Sequence, residues 1–489
     1  MQLIEKAAAP NASGWHLPDG DADIRRVYDL QRSALRSKPN PTAAQRRARL
    51  RALRHAVDAR SEGVRAALRA DFGKPGHETD FTELHPTITE LLHAIKHLGG
   101  WMKPERVPTP LLLFSATSEI RREPKGHVLV LAPWNYPFYL SMVPVIAAVA
   151  AGNRVVLRPS EKAPHTAVVI GEIVAAAFPE DEVATVGGGV EVAESLLALE
   201  FDHIFFTGST RVGKRVMRAA AEHLSGVTLE LGGKSPAIVD AHCDLDAAAD
   251  RIAWGKLINA GQTCVAPDYV LAHESVVDAF VERTVRAVQR FYGESEDDRA
   301  RSESYCRLID QGAFDRVTGA LDATVTAGAR IVIGGGRDRA TRYLAPTVLT
   351  GVTAGAPIMD EEIFGPVLPV LTYRTLDEAL ALINGRPKPL ALYVFSNDRQ
   401  TVETVLARTS AGGSVVNNTV IHLANPDLPF GGIGPSGVGN YHGRHGFRAF
   451  SHERAVLIQH RISLGSLVYP PYGKRSNVVL RAIERFMLR

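Results

Sequence analysis

The stretch Ile204-Phe205-Phe206-Thr207-Gly208-Ser209-Thr210-Arg211-Val212-Gly213-Lys214 reads as a short apolar strand that runs through a glycine turn into a helix. Such a turn offers a phosphate the free backbone N–H groups and positive dipole end of the helix. Gly208 to Lys214 supply most of a magnesium-dependent P-loop, but Arg215 stands where a Ser or Thr hydroxyl would hold the metal. What remains is a pair of glycines, Gly208 and Gly213, with Ser209 between them, which admits a pyrophosphate without Mg²⁺. That favours a dinucleotide such as NAD(P) over ATP.

Outward from this turn, apolar strands alternate with amphipathic helices. Strands are predicted at His127–Leu131, Arg154–Leu157, Val183–Val186, Ile204–Phe206 and Val227–Leu231, and helices at Ala163–Ala177, Val190–Leu199 and Val212–His223. This spacing implies βαβ units and a parallel sheet whose ligands sit at the carboxyl ends of the strands. Residues 20–72 read as helical, with Leu50, Leu53 and Val57 at helical spacing among arginines whose stems cover apolar surface. Leu111 to Arg122 turns extended after Pro108 and Pro110, as a projecting β arm that needs a partner for its edge. The uncharged run Val128–Ala151 is long enough to cross a bilayer, but Pro133, Pro137 and Pro144 interrupt it. It is therefore expected to be a buried strand, a loop and a buried helix starting near Ser141.

Composition narrows the class. The chain has 489 residues, 45% of them hydrophobic, and a net charge of +3. That length accommodates two or three cores, and the near-neutral balance gives no reason to expect a nucleic acid partner. Cys243, Cys264 and Cys306 are too few and too scattered for a disulfide framework or a zinc cage, and the N-terminus lacks the pattern of a signal peptide. A reducing cytoplasm is the expected location. His442 and His445 have a metal-like spacing without a third ligand, and read as structural, so no metal site is expected.

Three further motifs carry chemistry. Asn259-Ala260-Gly261-Gln262-Thr263-Cys264 is a polar, small-residue turn around a cysteine; it suits either a small buried hydrophobe or an activated thiolate. Leu229-Glu230-Leu231-Gly232-Gly233-Lys234 sets one carboxylate among leucines, where it has either a partner or a proton-transfer task. Arg158-Pro159-Ser160-Glu161 follows a strand and suits both ribose hydroxyls and a helix start with Ser160 as N-cap. By contrast, Gly432-Ile433-Gly434-Pro435-Ser436-Gly437 has the letters of a dinucleotide fingerprint but neither the preceding strand nor the following helix.

Taken in order, Pro133-Trp134-Asn135-Tyr136-Pro137, Arg158-Pro159-Ser160-Glu161, Phe206-Thr207-Gly208-Ser209-Thr210, Leu229-Glu230-Leu231-Gly232-Gly233-Lys234, Gly261-Gln262-Thr263-Cys264 and Glu361-Glu362-Ile363-Phe364-Gly365-Pro366 resemble the NAD(P)⁺-dependent aldehyde dehydrogenase superfamily. The resemblance spans roughly residues 20–460. The runs around Trp254, Asp268, Phe430 and Tyr441-His442-Gly443 are similar to its class 3 branch, which handles aromatic and medium- to long-chain aldehydes, coniferyl and fatty aldehydes among them.

The resemblance implies an α/β protein with a Rossmann-type parallel-sheet cofactor domain (1–105 and 126–229), a catalytic domain (230–449), a bridging and oligomerisation arm (106–125 and 450–462) and a tail (463–489). It implies Cys264 as nucleophile, Asn135 and the Cys264 N–H as oxyanion donors, and Glu230 as the base for water. Trp134, Arg158, Ser160, Glu161, Gly208, Ser209, Gly213, Leu231, Glu362 and Phe364 would hold NAD or NADP. Arg158 departs from the usual lysine of its motif, which bears on the choice between the two cofactors. Tyr136, Trp254 and Phe430 would wall the aldehyde tunnel. A homodimer is implied, with Glu453–Gln459 extending a partner's sheet, and the basic, amphipathic C-terminus leaves room for peripheral membrane contact. The rival readings are an acylating relative that passes the acyl group to coenzyme A or phosphate, and a catalytically idle binding protein on the same scaffold.

Overall fold

Parallel strands buried on both faces organise the first half of the chain, as expected for apolar runs separated by helical crossovers. A computed structural model describes residues 17–38, 40–110, 113–461 and 469–487. Its first sheet has six strands in the order Gly437–Val438, Gly226–Glu230, His203–Thr207, His127–Leu131, Arg154–Arg158 and Val183–Thr185. Every pair is parallel except Gly437–Val438, which runs antiparallel to Gly226–Glu230. The glycine run at 432–437 therefore closes a sheet edge, with Ser436 accepting the N–H of Leu231 at 3.0 Å. The crossover helices are Pro164–Ala177, Val190–Leu197 and Thr210–Glu222.

A second sheet of seven strands runs Arg330–Ile333, Thr347–Thr350, Val367–Tyr373, Tyr269–His273, Pro236–Val239, Ala391–Phe395 and Gly413–Val416; all pairs are parallel except the first. Three antiparallel strands, Glu105–Val107, Ala116–Pro124 and Ser451–Gln459, form the arm. Ser451–Gln459 lies at the edge, largely exposed. The arm strand starts later than the sequence suggests, at Ala116, because the chain turns through Ser115, whose φ is 71°; Leu111 and Leu112 lie outside the described residues.

The run 128–151 resolves into a strand, a loop and the helix Tyr139–Ala151, which begins two residues before the expected start and is buried throughout. Among the described residues no helix is long and apolar enough to cross a membrane. The C-terminus forms the helix Lys474–Met487.

Helices Asp21–Ser37, Ala43–Ala59 and Ser61–Phe72 match the helical reading of the N-terminus. After them a π-helical turn, Asp80–Leu84, leads into the helix His85–Trp101 and points Glu83 inward. Lys74 donates to Glu83 at 2.8 Å, and neither side chain is exposed. The other carboxylate oxygen of Glu83 accepts the N–H groups of Phe138 and Tyr139, both at 3.0 Å, while the Lys74 ammonium lies 4.1 Å from the centre of the Tyr136 ring. This buried pair clamps the loop that carries Trp134, Asn135 and Tyr136. Glu83→Ala would leave a buried ammonium and two N–H groups without partners, a loss of about 3–5 kcal/mol. The expected outcome is a clear fall in the urea midpoint; a midpoint equal to that of the parent protein would contradict the role of the clamp.

Candidate active site

Glycines and aromatic rings shape the cofactor side. Gly208 follows the strand His203–Thr207, and Ser209 caps the helix Thr210–Glu222, accepting the Val212 N–H at 3.4 Å. A Cβ on Gly213 would lie 2.7 Å from Leu231 Cδ2, so this glycine lets the helix pack on the end of the neighbouring strand. A Cβ on Gly232 would lie 2.0 Å from Glu362 Oε2; only glycine leaves room for that carboxylate. Phe364 sits edge-on to Trp134, with ring centres 5.3 Å apart. A helix N-terminus, a carboxylate and two rings near the ends of the strands are a set of groups that suits a dinucleotide.

Arg158 bridges its own turn and a later loop. One guanidinium nitrogen donates to Glu161 at 2.7 Å, to the Gly188 carbonyl at 2.7 Å and to the Gly189 carbonyl at 2.9 Å. Both charged groups are thus engaged with each other. Ser160 is not the N-cap of the following helix, which starts at Pro164 with Ala163 at the cap; its hydroxyl instead accepts the Lys162 N–H within the turn.

The cysteine loop is held by side-chain amides. The Asn135 amide donates to the Gln262 carbonyl at 3.0 Å, and the Asn259 amide donates to both the Asn135 and Gln262 carbonyls at 2.8 and 3.1 Å. Gln262 donates to the Asn259 and Arg307 carbonyls, and Glu78 accepts the Asn259 N–H at 2.7 Å. Asn259 and Ala260 adopt positive φ angles of 56° and 51°. Non-glycine residues rarely do so, and these bonds hold them there.

Electrostatics set Glu230 apart. Both of its carboxylate oxygens are buried without a hydrogen-bond partner, and burial pushes the carboxyl well above its usual range. Burial also pushes the Cys264 thiol well up; the Glu362 and Glu230 charges add to this, and the N–H groups of Cys264 and Val265 offset it in part. Glu362 is pushed up to about 8, by burial first and by Asp268 next. A thiol held in its protonated form means that a base must take its proton before Cys264 can attack.

One cavity of about 330 Å³ brings Cys264 and Glu230 together with the three expected wall residues, Tyr136, Trp254 and Phe430. Tyr136 is fixed by a 2.6 Å hydrogen bond to Thr263, and Trp254 packs edge-on to Phe81. Sequence reasoning did not find Phe81, Glu90, Tyr139, Tyr441 or His442 as cavity residues. Only the neighbouring Tyr136 and the Tyr441-His442-Gly443 run gave a local signal. His442, which reads as structural in the sequence, lines the cavity; among the described residues no group of three or more His, Cys, Asp or Glu is placed to hold a metal.

Groups suited to a dinucleotide and a thiol-bearing, largely apolar cavity on one α/β frame describe an oxidoreductase class. The aldehyde dehydrogenase family model matches residues 14–456, and the chain belongs to that family. It is an NAD(P)-dependent enzyme acting on an aldehyde group. The chain is 44% identical to the 4,4'-diaponeurosporen-aldehyde dehydrogenase of Staphylococcus aureus, over 87% of this chain and 92% of that protein. It is 43% identical to a probable coniferyl aldehyde dehydrogenase of Pseudomonas aeruginosa, over 92% and 94% of the two chains. The substrate-bound state of Staphylococcus aureus AldH superposes with a TM-score of 0.90 at 41% identity, covering 94% of this chain and 99% of the other.

The raised thiol predicts slow modification of the free protein. Inactivation by iodoacetamide should accelerate roughly tenfold per pH unit from neutrality into the alkaline range, because only the thiolate reacts. A rate that levels off near pH 7 would mean that the thiol is already ionised.

Proposed function

We propose that the protein oxidises an apolar aldehyde, aromatic or of medium to long chain, to the free carboxylic acid. Cys264 Sγ adds to the aldehyde carbon to give a thiohemiacetal, whose oxyanion takes hydrogen bonds from the Asn135 amide and the Cys264 N–H. NAD(P), when bound, would supply the acceptor for the hydride that leaves as the thioester forms. Trp134, Glu362 and Phe364 would hold its nicotinamide end, and Gly208, Ser209, Gly213 and Leu231 its pyrophosphate, with Ser160 and Glu161 toward the adenosine ribose. Glu230 removes a proton from the attacking water, and acid and free thiol result.

The observation that carries this reading is Glu230: a buried carboxyl with no partner, close enough to Cys264 to raise its thiol, in a cavity whose other walls are largely apolar. A structural carboxyl in that position would have a hydrogen-bond donor. Hydrolysis rather than transfer to coenzyme A or phosphate follows from having a base for water. The exposed edge of Ser451–Gln459 supports a homodimer built by strand addition, and three unpaired cysteines suit the cytoplasm. The charged helix Lys474–Met487 suits contact with a partner subunit or a membrane surface.

Glu230→Gln removes the base and keeps the shape. Turnover should fall by about 10²–10⁴-fold, and intact mass should show an acyl adduct on Cys264 after one equivalent of aldehyde and cofactor. Because burial raises the Glu230 carboxyl above its usual range, hydrolysis in the parent protein should rise with pH beyond the range of an ordinary carboxylate, and this rise should vanish in the variant. Unchanged turnover with no adduct would refute the assignment.

A further inference from the structure

The cavity contains one polar patch that the mechanism does not use, made by Glu90, His442 and Tyr139. Glu90 is 6% exposed; its Oε2 accepts the Gly443 N–H at 3.1 Å, while Oε1 has no hydrogen bond among the described residues and lies 3.9 Å from His442 Nδ1. His442 is 1% exposed; its Nε2 lies 3.1 Å from the Tyr139 hydroxyl, and its Nδ1 meets no partner at normal hydrogen-bond geometry among the described residues, although the Leu423 backbone acts on the ring and offsets its burial in part. Phe430 stacks on the imidazole, with ring centres 5.1 Å apart, and so fixes its plane.

The backbone is bent to make this arrangement. His442 sits at φ 80°, a strained value for a side chain branched at the ring, and Gly443 follows at φ 46°, where a Cβ would fall 2.1 Å from the Pro426 carbonyl. That double bend turns the imidazole into the cavity and presents the Gly443 N–H to Glu90. Burial, slightly offset by the Gly443 N–H, pushes the Glu90 carboxyl up to about 7, and burial brings the His442 imidazole down to about 3, so the ring is neutral. The Tyr139 hydroxyl can donate to Nε2, and in that tautomer the ring proton sits on Nδ1. An acceptor and a donor then lie 3.9 Å apart, and a single oxygen bonded to both can bridge them.

We propose that Glu90 and His442 form a hydroxyl-recognising subsite, so that the preferred aldehyde is apolar along its length and carries a hydroxyl remote from the aldehyde carbon. The substrate hydroxyl donates to Glu90 Oε1 and accepts from His442 Nδ1. This rests on the aldehyde-oxidising reading above and adds the feature of the substrate that the cavity selects. Such a site discriminates strongly, because an analogue lacking the hydroxyl leaves two buried polar groups unpaired.

The test compares kcat/KM for matched pairs: 4-hydroxycinnamaldehyde against cinnamaldehyde, and ω-hydroxyalkanals against alkanals of equal length. In at least one pair the hydroxylated member should be preferred by about tenfold or more. Glu90→Gln, whose amide oxygen can still accept the Gly443 N–H, should bring that preference to within about twofold. Ratios near one for every pair overturn the proposal, and mean that a bound water fills the patch; so does a preference that survives Glu90→Gln. Should the variant not fold, the ratios of the parent protein decide. Calorimetric binding of the same pairs separates the two readings: preferential binding of the hydroxylated aldehydes without oxidation overturns the oxidising function and sustains the subsite, whereas equal or absent binding overturns the subsite.

Discussion

Three side-chain amides, those of Asn135, Asn259 and Gln262, hold together loops that belong to different sheets. Asn135 lies beyond the central strand of the six-stranded sheet, and Asn259 to Cys264 lead into a strand of the seven-stranded sheet. Carbonyls turned inward by the left-handed backbone at Asn259 and Ala260 would be costly to bury unpaired, and the amides satisfy them. Glu78 and Glu83 hold the same two loops from the N-terminal helical layer, one accepting the Asn259 N–H and the other the N–H groups of Phe138 and Tyr139. Asn135 and Cys264 are thereby fixed with respect to each other before any substrate arrives, as the proposed oxyanion stabilisation without reorganisation requires.

The same scaffold leaves the Glu230 carboxyl without a hydrogen-bond donor among the described residues and buries the Cys264 thiol beside it. A carboxyl with no donor and a thiol raised by burial both lose solvation in the folded state. Proteins that retain such groups do so where proton transfer is needed, since a raised carboxyl becomes a competent base near or above neutral pH.

Much of the frame was legible from one-dimensional patterning. The strand His127–Leu131 was found with its bounds, and the other parallel strands and crossover helices within a few residues, because apolar strands and amphipathic helices differ in period. The glycine turn at 208–213 was readable for the same reason, with its context on both sides. Less legible was Gly437–Val438, a short strand whose pairing with Gly226–Glu230 joins residues about two hundred positions apart and shows no periodicity. Lys74, Glu83, Glu90 and His442 were invisible as site residues, since each draws its meaning from a partner distant in sequence. Arg158 was seen as a departure from its motif, but its engagement with the Gly188 and Gly189 carbonyls depends on how a later loop passes the strand end.

The central claim is that the acyl group formed on Cys264 passes to water. The most direct measurement supplies a long-chain or aromatic aldehyde with NAD⁺ or NADP⁺ in a buffer free of coenzyme A and phosphate, and quantifies carboxylic acid and reduced cofactor. The account predicts one acid per reduced cofactor over many turnovers. Turnover that begins only when coenzyme A or phosphate is added would contradict it.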